Sequence, residues 1–223
     1  MQVIAGGGIA VPLDEIAARF GKDTGITVAI RYGTAPELIA MSRAPFDLAV
    51  TPSEVFRDAG AAARLAPGPT IDIARAGLGV AVRAGAPKPD IGSPEALKQA
   101  LLSAQSVATI PASAAGAQVV ALFERLGISN AVMAKLQAAA NPTRLIESMT
   151  HGQAEIGVFL INVLNAPGLD VVGPVPAALD RQLVYVSGVA KDAVHAQEAQ
   201  AFLAFLRSDA AKAILKARGL TPA

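Results

Sequence analysis

Three consecutive glycines, Gly6, Gly7 and Gly8, stand between a short apolar strand and an amphipathic helix in the N-terminal stretch QVIAGGGIAVPLDEIAARF. The first N–H groups of a helix have no acceptor within the helix, and glycine lets a ligand approach the backbone closely. The N–H groups of Gly7, Gly8 and Ile9 are therefore candidate donors to a small anion. The alternative is a tight turn without a ligand. A dinucleotide is disfavoured, because G-x-G-x-x-G from Gly6 would need glycine or alanine at Val11.

A second stretch of the same kind is PASAAG, residues 111–116, which also leads from a predicted strand into a helix. It offers the hydroxyl of Ser113 and the N–H groups of Ala115 and Gly116. We predict that these groups face the glycine run and hold the same anion from the opposite side. The alternative is that Ser113 is an ordinary helix N-cap.

Four further residues extend the predicted binding site. Thr34 and Ala35 lie in the loop GTAP that follows the second predicted strand. Arg75 stands next to a strand that we expect to cross between two lobes, where its guanidinium could pair with a ligand carboxylate or form a surface salt bridge. Tyr185 lies on a late strand beside a candidate loop, either in the site or in the core.

Residues for catalysis are scarce. The chain has no G-x-S-x-G motif and no cluster of His, Cys or carboxylates at metal-ligand spacing, and His151 and His195 are expected in solvent. We therefore predict no catalytic residue, no metal and no cofactor. An enzyme that moves a proton would need a base, for which Glu37, Tyr185 and Tyr32 are the candidates. Glu37 is explained more simply by the first turn of a helix.

Strand and helix patterns alternate along the whole chain, which predicts an α/β fold with mainly parallel sheets. Strands are predicted at residues 3–5, 27–32, 46–50, 78–82, 107–110, 156–160, 171–172 and 183–189. Helices are predicted from Pro12, after an N-cap at Ser53, over residues 94–104 and 115–126, from 142 to near Gly152, and over residues 196–206 and 209–217.

Two glycine-rich strands, at residues 77–82 and 184–189, bracket the middle of the chain. We interpret them as two crossings between lobes. Lobe one is then predicted at residues 1–78 and 188–223 and lobe two at residues 79–187, with the ligand cleft between them. A single doubly wound sheet fits the pattern nearly as well.

Composition excludes several classes of partner. The 223 residues are 52% hydrophobic and carry a net charge of +1, with seven Phe, two Tyr and no Cys. Such a chain has no basic field for nucleic acid or a membrane surface, and no apolar run long enough to enter a bilayer. We expect a monomer. Strand-like residues directly follow Met1, so the protein is periplasmic if Met1 replaces a removed signal peptide and cytoplasmic if the chain is complete as written.

The chain resembles the type 2 periplasmic solute-binding proteins, in particular their molybdate-binding-like branch. The residues that carry the resemblance are AGGGIAVPLDEIAARFGKDTGITVAIRYGTAPEL, FDLAVTPSEVF, PASAAG, GQAEIGVF and above all GVAVRAGAPKPDI. It implies two α/β lobes with two mixed, mainly parallel sheets, joined by two crossing strands and clamping a small anion between helix N-termini. It also places Thr143 and Asn162 in the site and an ABC permease among the partners.

Three positions depart from the molybdate-binding pattern. Gly8 stands where a serine is usual, Thr34-Ala35 replaces a Ser-Ser pair, and Leu160 occupies the position of the binding-site tyrosine. Because these changes remove hydroxyl donors and open space, we expect an organic carboxylate rather than molybdate. The branch also includes proteins that resemble aconitate isomerase. The alternative function is therefore an isomerase that shifts a double bond in a small unsaturated di- or tricarboxylate.

Overall fold

The computed structural model describes all residues from Met1 to Ala223 and divides them into two compact units. The first unit comprises Met1–Arg75 and Leu183–Ala223, and the second comprises Ala76–Gln182. The strands are β1 Gln2–Gly6, β2 Ala29–Gly33, β3 Leu48–Pro52, β4 Ile71–Ala76, β5 Leu78–Arg83, β6 Val107–Thr109, β7 Leu136–Ala138, β8 Ile156–Leu160, β9 Leu169–Pro174, β10 Leu183–Val189 and β11 Thr221–Pro222.

Ten α-helices and two 3₁₀ turns connect the strands. The helices are α1 Ala10–Thr24, α2 Ala35–Met41, α3 Ala59–Ala62, α4 Pro94–Ser103, α5 Ala114–Arg125, α6 Ser129–Met133, α7 Pro142–Thr150, α8 Ile161–Leu164, α9 Ala196–Leu206 and α10 Asp209–Ala217. The 3₁₀ turns span Gly7–Ile9 and Ser53–Arg57. No helix is both long and apolar enough to cross a membrane.

Each unit is built on one mixed sheet. The first has the strand order β11-β4-β10-β3-β1-β2 and the second the order β7-β6-β8-β5-β9. Parallel pairing holds β2, β1 and β3 together, and likewise β7, β6 and β8. Antiparallel pairing joins β10 to β3, β11 to β4, and β5 to both β8 and β9. The expected two mixed α/β sheets are thus present, with parallel pairing in only part of each.

The chain passes from one sheet to the other at the first residue of the first glycine-rich segment and before the start of the second. Strand β5 lies wholly in the second sheet and β10 wholly in the first, so the two passages are at Gly77 and at residues 175–182. The second passage is anchored within its own unit. Arg125 donates hydrogen bonds to the carbonyls of Ala178 and Leu179, and Asp180 Oδ1 accepts the Leu78 N–H at 3.1 Å. The unit boundaries at 75/76 and 182/183 consequently differ from the expected 78/79 and 187/188.

Helix α1 is the helix that the periodicity of its apolar residues predicts. Leu13, Ile16 and Phe20 are buried, and the Phe20 ring lies 5.0 Å from the Phe202 ring of α9. The helix begins at Ala10, so Pro12 is its third residue rather than its first, still within the turn where a missing N–H breaks no helical bond.

The predicted N-cap at Ser53 is wrong. Ser53 is the first residue of a 3₁₀ turn, and Asp58 caps the following helix by accepting the Ala61 N–H at 2.8 Å. A carboxylate at an N-cap also meets the positive end of the helix dipole, which favours Asp58 over a residue five positions earlier.

A buried carboxylate joins three segments of the first unit. Asp47 is 3% exposed and accepts the Gln2 N–H through Oδ2 at 2.6 Å and the His195 N–H through Oδ1 at 2.9 Å. Burial raises the pKa of this carboxyl group, but the two hydrogen bonds outweigh burial and hold the pKa below its ordinary value.

Candidate functional site

Several loops of the first unit meet at one edge of its sheet. Strands β1, β2 and β3 run parallel and end at Gly6, Gly33 and Pro52, so their carboxyl ends share that edge. Strand β10 runs in the opposite direction and begins there, with Tyr185 opposite Pro52. Carboxyl ends of parallel strands are the usual place for ligands in α/β sheets. We call this the glycine edge.

The structural requirement for glycine differs among the three glycines of the N-terminal run. A Cβ on Gly6 would lie 3.0 Å from Pro52 Cδ and 3.1 Å from Tyr185 Cε1, so packing excludes a side chain there. Gly7 and Gly8 open the 3₁₀ turn, are partly exposed, and do not have positive φ angles. Their backbone conformation is therefore one that any residue can adopt.

The 3₁₀ turn uses some of the N–H groups that the sequence offered as donors. The Ala10 N–H donates to the Gly7 carbonyl, and the i to i−3 pattern of a 3₁₀ helix commits the Ile9 N–H to Gly6 in the same way. The Ile9 side chain is fully buried. Ile9 therefore anchors the turn, and the Gly7 N–H is the donor that has no acceptor within it.

Thr34 and Glu37 form a capping box at the start of α2. Glu37 Oε2 accepts the Thr34 N–H at 2.7 Å and the Thr34 hydroxyl at 2.8 Å. These hydrogen bonds hold the pKa of Glu37 below its ordinary value. Thr34 thus gives its hydroxyl proton to the cap, and Ala35, the first residue of α2, adds no side-chain donor.

The two tyrosines lie at the glycine edge on strands β2 and β10, which are separated by β1 and β3. The Tyr32 hydroxyl donates to Asp14 Oδ1 at 2.6 Å and to the Ala10 carbonyl at 3.3 Å, which ties β2 to the first turns of α1. Burial, together with the Asp14 carboxylate, raises the pKa of Tyr32 well above its ordinary value. Tyr185 is 1% exposed, and burial followed by the charge of Glu54 raises the pKa of its phenol.

Arg75 is paired within its own unit. Its guanidinium donates to Asp72 Oδ2 at 2.9 Å, and both side chains are close to half exposed. This is the surface salt bridge that the sequence left open as the alternative to a ligand contact.

The Ser113 loop of the second unit is a complete N-cap. Ser113 Oγ accepts the Gly116 N–H at 2.9 Å and donates its proton to the Ile110 carbonyl at 2.8 Å. A Cβ on Gly116 would lie 1.8 Å from the Ile110 oxygen, so this glycine is needed for packing. The N–H groups of this loop that make no hydrogen bond to the protein are those of Ala112, Ala114 and Ala115.

Three residues predicted for the site follow three parallel strands of the second unit. Strands β6, β7 and β8 are parallel, and their carboxyl ends lead to Ser113, Thr143 and Asn162 respectively. The structure therefore brings these residues to one edge of the second sheet. Thr143 is exposed in the first turn of α7, Asn162 is partly buried in α8, and Leu160 is the buried last residue of β8.

Sequence reasoning missed the loop that follows β3. Glu54 lies two residues beyond the carboxyl end of that strand, partly buried, with the Ser53 hydroxyl 3.4 Å from its Oε2 as its one hydrogen-bond contact. The signal was available, because the strand-end argument that selected Gly7 applies equally to residues 53 and 54.

Known proteins resemble this chain over its whole length. The aconitate isomerase of a Pseudomonas species is 32% identical over 100% of this chain and 87% of its own. The periplasmic molybdate-binding protein of Azotobacter vinelandii has the same fold, with a TM-score of 0.83, 19% identity and coverage of 99% of this chain and 98% of that one. PEB3 of Campylobacter jejuni, solved with L-phospholactate bound, has a TM-score of 0.76, 16% identity and 99% coverage of both chains.

The family of bacterial extracellular solute-binding proteins matches residues 1–221. The match agrees with the two mixed α/β sheets and with loops gathered at the carboxyl ends of parallel strands in each unit. This chain belongs to the bacterial extracellular solute-binding protein family.

Proposed function

We propose that the protein binds a small organic anion that carries carboxylate groups, and that the glycine edge and the Ser113 loop both contribute to its binding. The proposal rests on the backbone conformation and partial exposure of Gly7 and Gly8. Packing explains Gly6, whereas Gly7 and Gly8 have an ordinary backbone conformation and partial exposure. Close approach of a ligand is a reason for glycine at both positions.

The hydroxyl groups near these loops argue against a tetrahedral oxyanion as the preferred ligand. The Thr34 proton is donated to Glu37 and the Ser113 proton to Ile110. The remaining donors are backbone N–H groups at helix starts, which suit a carboxylate without a formal positive charge nearby. L-phospholactate, which PEB3 binds, carries a phosphate as well as a carboxylate and is a precedent for an organic anion on this fold.

Isothermal titration calorimetry with molybdate, sulfate and a set of di- and tricarboxylates tests the proposal. Each absent hydrogen bond to a charged ligand costs about 1.5–3 kcal/mol, so two absent hydroxyl donors predict that molybdate binds at least about 100-fold more weakly than it would to a site with both donors free. We expect the best carboxylate to bind more tightly than molybdate. Sub-micromolar binding of molybdate with no binding of carboxylates would refute it.

A proline substitution tests the contribution of the Ser113 loop. Ala114 is the first residue of α5 and follows a residue with extended backbone, so Ala114→Pro removes one N–H at a position that proline favours. We expect a loss of affinity of about 10- to 100-fold. The matched control is Asp209→Pro at the first residue of α10, which also follows an extended serine cap and which we expect to leave affinity unchanged. Equal affinities for the two variants would remove the Ser113 loop from the site.

A second candidate function is isomerisation of a small unsaturated tricarboxylate. It is favoured by the 32% identity to an aconitate isomerase across this whole chain. Conversion of cis-aconitate to trans-aconitate, followed by proton nuclear magnetic resonance, distinguishes an enzyme from a binding protein. A binding protein would leave the added isomer unchanged. Such a binding protein would work together with an ABC permease.

A further inference from the structure

The glycine edge contains the carboxylate of Glu54 and the phenol of Tyr185. Tyr185 is 1% exposed and lies on β10 opposite Pro52. Glu54 follows Pro52, the partner of Tyr185 in the sheet, by two residues, and after burial its charge raises the pKa of the Tyr185 phenol.

Packing places this pair beside the glycine run. The Tyr185 ring lies against Gly6, at 3.1 Å from the position of its missing Cβ, and Pro52 lies at 3.0 Å from the same point. Glu54 follows Pro52 by two residues in the 3₁₀ turn after β3. An anion bound at the glycine run would therefore have both groups near it.

The three bases that the sequence offered for proton transfer are unsuitable in the structure. Glu37 has a lowered pKa because it holds two hydrogen bonds from Thr34. Tyr32 and Tyr185 have raised pKa values and are therefore protonated at neutral pH. Protonated phenols donate hydrogen bonds and do not accept protons, whereas an ionised carboxylate can act as a base.

We propose that Glu54 is the catalytic base of an allylic isomerisation and that Tyr185 donates a hydrogen bond to the substrate carboxylate. This inference rests on the isomerase candidate for the proposed function. The substrate class is an unsaturated di- or tricarboxylate with a CH₂ group between a carboxylate and the double bond.

The reaction then needs no co-reactant. Glu54 takes a proton from the CH₂ carbon, and the electron pair of the broken C–H bond forms the new double bond. The electron pair of the former double bond then takes back the proton from Glu54. This forms a C–H bond at the alkene carbon farther from the CH₂ group. Negative charge that builds up on the neighbouring carboxylate is stabilised by a hydrogen bond from the Tyr185 hydroxyl. Product and substrate have the same atoms, and Glu54 has neither gained nor lost a proton at the end of the reaction.

The test compares activity and binding in the same variants, with cis-aconitate as the probe. Glu54→Gln should slow conversion to trans-aconitate by about 10²- to 10⁴-fold, the range of a removed general base, while changing the dissociation constant by less than about tenfold. Glu54→Asp, which keeps a carboxylate, should retain more activity than Glu54→Gln. The matched control Glu124→Gln removes an exposed carboxylate of the second unit and should leave the rate unchanged.

Three results would overturn the inference, and they differ in what else they affect. If wild-type protein isomerises aconitate and Glu54→Gln does so within about threefold of it, another group is the base and the isomerase stands. If wild-type protein binds aconitate without converting it, the binding function stands and the inference falls. If it binds no carboxylate at all, the proposed function falls as well.

Discussion

Separate substitutions of Gly6 and Gly8 distinguish a glycine that the fold requires from one that a ligand requires. In Gly6→Ala the new Cβ would be 3.0 Å from Pro52 Cδ and 3.1 Å from Tyr185 Cε1. Both neighbours belong to paired strands, so the contact is relieved only by shifting them. Overpacking of this kind costs about 1–3 kcal/mol. At about 2–4 °C per kcal/mol for a chain of this size, the melting temperature should fall by about 2–12 °C.

In Gly8→Val the expected result is the reverse. Gly8 lies in a 3₁₀ turn without positive φ, so a side chain introduces no backbone strain and the melting temperature should change by less than about 2 °C. The isopropyl group would, however, occupy the space through which a ligand reaches the turn. Losing one hydrogen bond to a charged ligand costs about 1.5–3 kcal/mol, which lowers affinity by about 10- to 100-fold.

Differential scanning fluorimetry measures the stability of both variants, and calorimetric titration with the best carboxylate measures their affinity. We expect opposite results for the two variants. Gly6→Ala should lose stability, whereas Gly8→Val should lose affinity for the carboxylate at unchanged stability. If Gly8→Val binds as well as wild type, the glycine run is only a turn. If Gly8→Val is as unstable as Gly6→Ala, the fold requires both glycines.

Three further predictions concern individual hydrogen bonds. Asp47→Asn should destabilise the first unit by about 1.5–3 kcal/mol in chemical denaturation, because an amide has one acceptor oxygen for the two N–H groups of Gln2 and His195. Because the folded-state pKa of Asp47 is lowered, its stabilisation is complete above the ordinary pKa of aspartate and is lost as the pH falls below it. Asp47→Asn should therefore flatten the acid limb of a melting-temperature profile, and an unchanged limb would contradict this. Ser113→Ala should cost about 1 kcal/mol of stability but less than tenfold in affinity, since its hydroxyl serves the cap; a much larger affinity loss in titration would make it a ligand contact. Tyr32→Phe should lower stability by about 1 kcal/mol, measured by denaturation, through loss of its bond to the half-exposed Asp14, and unchanged stability would show that bond to be unimportant.

Local patterns predict those elements of the fold that bury a regular apolar face. Strands β1, β5, β8 and β10 and helix α1 fall close to their predicted bounds for this reason. Strand β7 is three residues long, partly polar, and exists because β6 pairs with it. Strands β4 and β11 pair across almost 150 residues of sequence, as Arg75 opposite Thr221 shows, and no local pattern contains that information.

Some features of the candidate site can likewise be predicted from local sequence, and others depend on the folded structure. The sequence shows the glycine run, the serine cap and the Thr34 loop, because turns and caps have characteristic residues. The sequence does not show which of these donors form hydrogen bonds within the protein, because only the folded geometry brings the Thr34 and Ser113 hydroxyls to their acceptors. Glu54 gains its neighbour Tyr185 through the antiparallel pairing of β3 with β10, which are more than 130 residues apart. A pattern search along the chain therefore passes over it.

A crystal structure of the protein with the carboxylate that binds best in the titration series tests the central claim most directly. We expect a ligand carboxylate to lie within hydrogen-bond distance, about 2.7–3.2 Å, of the Gly7 N–H, and the Ala114 or Ala115 N–H to contact the same ligand. A ligand bound without contact to the glycine run, or only on the outer surface of either unit, would contradict it.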